Sequence, residues 1–463
     1  MKLINQGYMS LPGLHKLPIK RFQFKSDLLF FILFTGIPTS FYAFINQEVF
    51  YRPQLYLDIN VLFLLVSLIY LIYNIKHLPK LFLIPGGKAF FVLVLYLFFQ
   101  VFYSYLFMGI NLKEILTIFR KNFFWPIATL GFLLYASKFN IYRLKRFFRW
   151  LIILTIIQSV IYLIANLFNI DFYGTKSANE YLLNSGTVYM QNLYAVPKYL
   201  MILFVFSFVT VLTSFKYNKH WQWLLCLMVV GILVVRSTLI VFTLTAIIIL
   251  LLIIIRHNTL YLHKKQKILL SGYFKNVVKV VGLILFILII LITIYPDRIN
   301  FLIAKFLSVT VNVSSNYYSN ASFGGTFTFR LLLIGEAFVR TMGNLLFGNG
   351  YIRESVPGTY DFVLGGDTAI APVIFCEGVV GMLLRWLPIT IIMMVSLKYI
   401  FSKNSKRYYL YYVSIFALII ISIINVIQTD IFVRFDHLFF IFMMMQFIIY
   451  HDRKKTTNSV QYG

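Results

Sequence analysis

Charged residues, and acidic ones above all, are scarce in this chain of 463 residues. Asp, Glu, Lys and Arg make up 12% of the sequence, whereas hydrophobic residues make up 60%. A soluble domain carries roughly twice that charged fraction. Apolar runs of about 15 to 22 residues recur along the chain, close to the roughly 20 needed to cross the bilayer core as a helix. The composition excludes an ordinary soluble domain and predicts an all-α polytopic membrane protein.

Cysteine is almost absent as well. Cys226 and Cys376 both fall within apolar runs, so we expect no disulfide framework. The stretch from Met1 to Asp27 is polar and basic over too great a length for a signal peptide, so the first apolar run is expected to remain as a helix.

The apolar runs predict about twelve transmembrane helices within a single integral membrane domain, 1–463. The expected spans are 28–46, 57–75, 89–110, 122–137, 150–168, 196–214, 221–235, 237–255, 277–295, 369–397, 408–428 and 434–450. With an even number of spans, the N- and C-termini lie on the same side, and we expect that side to be the cytoplasm.

The distribution of basic residues sets this orientation. Twenty-eight of the 42 Lys and Arg residues fall in the seven segments that alternation places inside, whereas 13 of the 15 acidic residues fall elsewhere. An excess of Lys and Arg is typical of cytoplasmic loops. Topology therefore explains the net charge of +27, and membrane lipids rather than nucleic acid are the expected partners. Basic clusters such as 143–149 favour contact with anionic headgroups, with docking of a partner protein as the alternative.

One long segment, 296–367, is not plainly membrane-spanning. It lies between spans nine and ten, on the extracytoplasmic side, and contains five basic and five acidic residues. Loops of this length are uncommon in a compact fold unless they are functional or disordered. The glycines and paired charges favour a functional segment, and we expect the active site here.

Five of the arginines outside the inner segments are candidates for binding an anion. They are Arg236, Arg330, Arg340, Arg353 and Arg385. The rigid guanidinium fork can give two parallel hydrogen bonds to a phosphate, so the outward arginines indicate a diphosphate on a lipid carrier. The alternatives are contact with lipid headgroups and ion pairing, for example of Arg330 with Glu336 or of Arg385 with Glu377.

Three motifs together resemble the bacterial O-antigen polymerase and O-antigen ligase superfamily, over about residues 220–400. The motifs are Arg236-Ser-Thr238 at the outer start of a helix, Arg330 followed by Phe347-Gly-Asn-Gly350, and Asp367 leading into Glu377-Gly-Val-Val-Gly381. The resemblance implies a membrane glycosyltransferase with a type-C-glycosyltransferase-like fold in the bacterial cytoplasmic (inner) membrane.

Histidine distinguishes this chain from the ligases of that superfamily. They resemble one another in having a His where this chain has Gly366-Asp367-Thr368, and 296–367 contains no His. Only His437, beside Asp436 at the predicted outer end of the last span, could approach an outer site; pairing with Asp436 is its alternative role. The departure favours a polymerase of capsule, exopolysaccharide or O-antigen repeats.

The resemblance implies that one oligosaccharide on undecaprenyl diphosphate is the donor and a second lipid-linked repeat is the acceptor. Arg330 and Arg236 would stabilise the diphosphate, and Asp367 would accept the proton of the attacking hydroxyl. For Asp367, a helix cap is the alternative. Further substrate contacts are expected from Arg340, Arg353, Glu336, Glu377 and His437.

We expect neither a metal ion nor a cofactor, because the outer segments have no Asp-x-Asp and no His cluster. A chain-length regulator and a flippase of the same pathway are expected partners. Two other functions stay open: a ligase that transfers the glycan to another acceptor, and a lipid-linked oligosaccharide flippase. A flippase should show two similar halves, and no such similarity is recognisable here.

Overall fold

The structure is a computed structural model. It describes residues 21–35, 53–119, 123–167, 196–214, 224, 227, 238–260, 278–279, 282, 286, 289, 293, 323–356, 360–361, 368, 370–402, 409–424 and 435–460. These residues are mostly helical. One short antiparallel hairpin pairs strand β1 (Ser355–Val356) with strand β2 (Tyr360–Asp361).

Thirteen α-helices are numbered along the described chain. The first seven are α1 (Arg21–Thr35), α2 (Pro53–Asn74), α3 (Leu78–Phe82), α4 (Gly87–Leu106), α5 (Leu112–Ile118), α6 (Trp125–Ala136) and α7 (Ile141–Leu167). The others are α8 (Val196–Ser214), α9 (Thr238–Leu260), α10 (Phe323–Thr341), α11 (Ile370–Phe401), α12 (Tyr409–Ile424) and α13 (Phe435–Val460). Short 3-10 turns occupy Ile75–His77 and Met342–Asn344.

Helices occur at ten of the twelve predicted spans. The other two, 221–235 and 277–295, lie largely outside the described residues. Within the described part of the chain, two helices, α4 and α11, are long and apolar enough to cross a membrane, which supports membrane association. The segment 296–367, expected as a loop, includes the 19-residue helix α10.

Helices α2 and α6 pack side by side in parallel order. Gly131 lies against the backbone of Ser67, and the rings of Tyr70 and Tyr135 follow at 4.9 Å. A Cβ atom at Gly131 would lie 2.1 Å from the Ser67 carbonyl oxygen, so only glycine allows this approach. Parallel packing brings the C-terminal ends of both helices to the same end of the bundle.

Two other helix pairs run antiparallel. Helix α12 meets α13 where Ser422 lies beside His437 and, further along, where the Tyr411 ring lies 6.3 Å from that of Phe447. Helix α4 meets α11 where Gly86, just before α4, lies against Pro388 and, further along α4, where the Tyr96 hydroxyl donates to the Glu377 carbonyl oxygen. These directions are the ones that alternating spans predict.

The pair α8 and α9 differs from the predicted alternation. Phe204 stacks on Phe242 at 3.9 Å, and Met201 lies 3.6 Å from Thr245, which is an antiparallel order of contacts. Alternation with a seventh span between them predicts a parallel order. Most of the connecting segment, including that span, lies outside the described residues.

Candidate functional site

The glycine-rich turn Phe347-Gly-Asn-Gly350 inserts into a break in helix α11. The break is at Gly378, whose φ of 67° and ψ of −166° are not helical. Four backbone hydrogen bonds cross the junction: Asn349 N to Phe375 O (2.8 Å), Gly350 N to Cys376 O (3.1 Å), Val379 N to Leu345 O (2.9 Å) and Val380 N to Leu346 O (3.1 Å). The turn therefore satisfies backbone groups that the broken helix leaves open.

Glycine is required on both sides of this junction. A Cβ atom at Gly348 would lie 2.6 Å from the Gly378 nitrogen, and a Cβ atom at Gly378 would lie 2.5 Å from the Gly348 nitrogen. Both residues have a positive φ, which L-residues with a side chain rarely adopt. Two of the three motifs behind the family resemblance thus contact each other directly through their glycines.

A buried ion pair lies immediately beside the break. Arg385 donates from Nη2 to Glu377 Oε1 at 2.7 Å and from Nε to Oε2 at 2.8 Å. The two residues are 1% and 0% exposed. This is the pair that the sequence offered as the alternative role of Arg385, and the structure confirms it. A bidentate pair of this kind fixes the geometry of both partners.

Tyr351 links the turn to this ion pair. Its hydroxyl donates to Glu377 Oε1 at 3.1 Å, and its ring lies 4.8 Å from that of Phe123. Burial, and after it the charge of Glu377, raises the pKa of the Tyr351 hydroxyl well above its usual value of 10.0. The hydroxyl therefore stays protonated at physiological pH and can serve as a hydrogen-bond donor.

Helix α4 also supports the turn, through three side-chain hydrogen bonds. Tyr96 Oη donates to the Glu377 carbonyl oxygen at 2.7 Å, and Gln100 Nε2 donates to the Phe347 carbonyl oxygen at 2.9 Å. Ser104 Oγ accepts a hydrogen bond from the Tyr351 backbone nitrogen at 2.9 Å. These contacts hold the turn in place between α4 and α11.

Arg340, at the end of α10, is held between two carboxylates. Its Nε donates to Glu336 Oε1 at 2.9 Å and its Nη1 donates to Glu354 Oε1 at 2.5 Å. Asn349 Nδ2 donates to the Arg340 carbonyl oxygen at 3.2 Å. All three charged side chains are partly exposed, so the pairs orient the arginine more than they stabilise the fold.

An open pocket of about 440 Å³ lies beside this arginine. Its polar lining comes from Arg340, Asn349 and Glu354, and its apolar lining from Met108, Ile110, Ile352 and Phe375. The two charged side chains in the lining are opposite in sign and bonded to each other. The pocket therefore offers hydrogen-bonding groups and apolar surface without a strong net charge, which suits a neutral ligand with hydroxyl groups.

The segment after α4 reaches the same region. Glu114 Oε1 accepts a hydrogen bond from the Arg353 backbone nitrogen at 2.9 Å. Asn111 caps α5 by accepting from the Lys113 nitrogen at 2.9 Å. Because the predicted topology places 111–121 and 296–367 both outside the cytoplasm, their contact agrees with that topology.

Of the three proposed catalytic residues, only Arg330 falls within the described residues. Arg236 and Asp367 lie outside the described residues, so their roles stay predictions. Arg330 belongs to α10, ten residues before Arg340, which corresponds to about 15 Å along the helix. His437 is 3% exposed, and its Nδ1 lies 3.0 Å from Ser422 Oγ within the helix bundle.

The expected substrate-binding residues fall into two groups. Arg340 lines the pocket, and Glu336 forms an ion pair with Arg340. Glu377, in contrast, is buried in its ion pair with Arg385. Arg353 contributes its backbone nitrogen to the contact with Glu114. Glu336 pairs with Arg340, four residues away, and the pairing of Arg330 with Glu336 stays a prediction.

Sequence reasoning missed Glu354, Asn349 and Tyr351 as members of the site. Asn349 lies inside the Phe-Gly-x-Gly motif and Tyr351 directly follows it, so proximity to that motif was the available signal. Glu354 follows Arg353, and the sequence contains no pattern that would have joined it to Arg340.

Comparison of the chain with protein-family models, with curated proteins and with solved structures finds no match.

Proposed function

We propose that this chain is a polymerase that joins oligosaccharide repeats carried on undecaprenyl diphosphate at the outer face of the bacterial cytoplasmic membrane. The observation that carries the proposal is the junction between the Phe347-Gly-Asn-Gly350 turn and the break at Gly378. The family resemblance rests on three motifs, and these two contact each other directly. Together they form one structural unit beside the pocket that suits a sugar.

The proposal includes a fold of about twelve transmembrane helices, with both termini in the cytoplasm. The parallel order of α2 with α6 and the antiparallel order of α12 with α13 support it. The contact of Glu114 with Arg353 supports a common outer face for their two segments. The order of α8 and α9 does not follow this alternation.

The glycan and the diphosphate of the substrate are assigned to different residues on the basis of charge. Arg340 is already compensated by Glu336 and Glu354, so the pocket is suited to hydroxyl groups of the glycan rather than to a diphosphate. The diphosphate is assigned to Arg330 and Arg236. Since Arg330 lies about 15 Å along α10 from Arg340, the pocket binds a part of the glycan remote from the reacting bond. Such remote contacts can supply energy for orientation at the reacting centre.

The proposed reaction needs no metal ion. A hydroxyl oxygen of the acceptor sugar forms a bond with the anomeric carbon of the donor, and the bond from that carbon to the diphosphate oxygen breaks. The hydroxyl proton passes to Asp367, and undecaprenyl diphosphate leaves with its negative charge stabilised by Arg330 and Arg236.

The test is the length of polysaccharide made in cells whose own copy is replaced by a variant. Arg330→Ala and Arg236→Ala are expected to leave single repeats, while the protein stays at its normal level in the membrane. Arg298→Ala, an equivalent change in the same segment with no assigned role, is the control. Normal chain length in both site variants would contradict the site assignment.

The same assay separates the alternatives. Transfer of a single repeat to an acceptor other than a second lipid-linked repeat would identify a ligase. Loss of lipid-linked repeats from the outer face, with no effect on their joining when they are supplied there, would identify a flippase.

A further inference from the structure

Four basic side chains gather where α2 and α6 end. Lys76, His77 and Lys80 follow α2, and Lys138 follows α6. The parallel packing of these helices, fixed by Gly131 against Ser67, brings the two segments together although they are about 60 residues apart in the sequence. We refer to Lys76, Lys80 and Lys138 as the lysine cluster.

The charges of this cluster act on one another. Burial first, then Lys80, Lys138 and Lys76, lowers the pKa of His77 below its usual value of 6.5. Burial first, then Lys76, Arg143 and Lys80, lowers the pKa of Lys138 below its usual value of 10.5. Positive charges held this close together repel, and a bound anion would relieve that repulsion.

No acidic side chain offsets the lysine cluster within the part of the chain that the structure describes. Asp27 belongs to the same end of the bundle, but its carboxylate is occupied by ion pairs with Arg143 and Arg146. Tyr135 also donates to Asp27 Oδ1, at 3.3 Å. Among the described residues, the positive charge of the three lysines is therefore not offset by a carboxylate.

An exposed apolar face leads along α2 to the cluster. Leu65 and Ile69 are each 51% exposed, Ile72 is 68% exposed and Tyr73 is 78% exposed. Their spacing of four, seven and eight residues from Leu65 places them on one side of the helix. A ligand with a negative headgroup and long apolar chains would cover both the lysine cluster and this face, whereas a free anion would cover only the first.

We propose that the lysine cluster binds the phosphate of an anionic phospholipid, such as phosphatidylglycerol, with the acyl chains along the exposed face of α2. The proposal rests on α2 and α6 crossing the membrane and is independent of the glycosyltransferase activity. It differs from general attraction of basic loops to the leaflet, because it assigns one headgroup to three lysines from two separate segments.

The experiment is native mass spectrometry of the full chain in detergent, titrated with phosphatidylglycerol or with neutral phosphatidylcholine. The test variant carries Lys76→Gln, Lys80→Gln and Lys138→Gln. The matched control carries Lys25→Gln, Lys88→Gln and Lys145→Gln, which remove the same charge from exposed lysines on the same predicted face. Each lysine that contacts the anionic headgroup should strengthen binding about fivefold, whereas a lysine away from the bound lipid should contribute little. We therefore expect the test variant to bind phosphatidylglycerol at least about tenfold more weakly and the control less than about threefold.

Three results would overturn the proposal: equal losses in the two variants, equal binding of the two lipids by the wild-type protein, or displacement of phosphatidylglycerol by millimolar inorganic phosphate. If the test variant does not fold, the pKa of His77 can be followed by NMR in the wild-type protein. A bound phosphate should raise that pKa in nanodiscs containing phosphatidylglycerol relative to phosphatidylcholine. An unchanged pKa would count against the site.

Discussion

Replacing Gly378 by alanine should disrupt the junction between the turn and helix α11. The residue has φ 67° and ψ −166°, a region that is essentially restricted to glycine and costs other residues about 1–3 kcal/mol. The added Cβ would also lie 2.5 Å from the Gly348 nitrogen and 2.5 Å from the Leu346 carbonyl oxygen. Both neighbouring atoms are backbone, so neither can move aside without displacing the turn.

The expected loss can be estimated from these contacts. Displacing the turn weakens the four backbone hydrogen bonds across the junction, each of which contributes about 0.5–1.5 kcal/mol. Together with the backbone strain, we expect Gly378→Ala to lower the free energy of unfolding by about 3–5 kcal/mol. Unfolding by SDS titration in mixed micelles measures this quantity.

Gly335→Ala is the matched control for this prediction. Gly335 lies within α10, and a Cβ atom there meets nothing within 4 Å. Alanine is favoured over glycine in a helix by about 0.5–1 kcal/mol, so the control should be neutral or slightly stabilising. If both substitutions change the unfolding free energy by less than about 1 kcal/mol, the junction does not have the role given to it here.

Three further predictions concern side chains around the junction. Arg385→Met alone should cost about 3–5 kcal/mol of unfolding free energy because it leaves Glu377 buried without its ion pair, and adding Glu377→Gln should recover part of that loss in the same titration. Since the pKa of the Tyr351 hydroxyl is raised in the folded protein, the stability that this residue contributes is complete below pH 10.0 and is lost as the pH rises further. Tyr351→Phe should therefore reduce the fall in unfolding free energy at alkaline pH, measured by unfolding at a series of pH values. Glu354→Gln should raise the KM for the lipid-linked repeat more than it lowers kcat in a polymerisation assay, and an effect on kcat alone would contradict a binding role.

The positions of the helices were predictable because an apolar run of sufficient length can be read from consecutive residues of the sequence. The apolar run that predicted 196–214 coincides with α8, and all but the first residue of the run that predicted 369–397 lies within α11. The ion pair of Arg385 with Glu377 was also predictable, because an unpaired charge in an apolar helix is costly and Glu377 lies within reach. Because charged residues are scarce in this chain, each buried charge has few possible ion-pair partners.

The assembly of the candidate site was not predictable from local patterns. Gln100 and Phe347 are 247 residues apart in sequence, and Tyr96 and Glu377 are 281 residues apart. Only packing of α4 against α11 brings them together. Likewise, the motif glycines indicated turns, but they did not indicate that α11 breaks at Gly378. The break depends on the contact of its backbone with that of the turn at Gly348.

The central claim is that this protein joins lipid-linked repeats. The most direct test is to incubate the purified, reconstituted protein with a single oligosaccharide repeat on undecaprenyl diphosphate and to measure the mass of the lipid-linked products. We predict products that grow by whole repeats, with release of undecaprenyl diphosphate at each step. Substrate that stays at one repeat, under conditions in which the protein is folded, would contradict the claim.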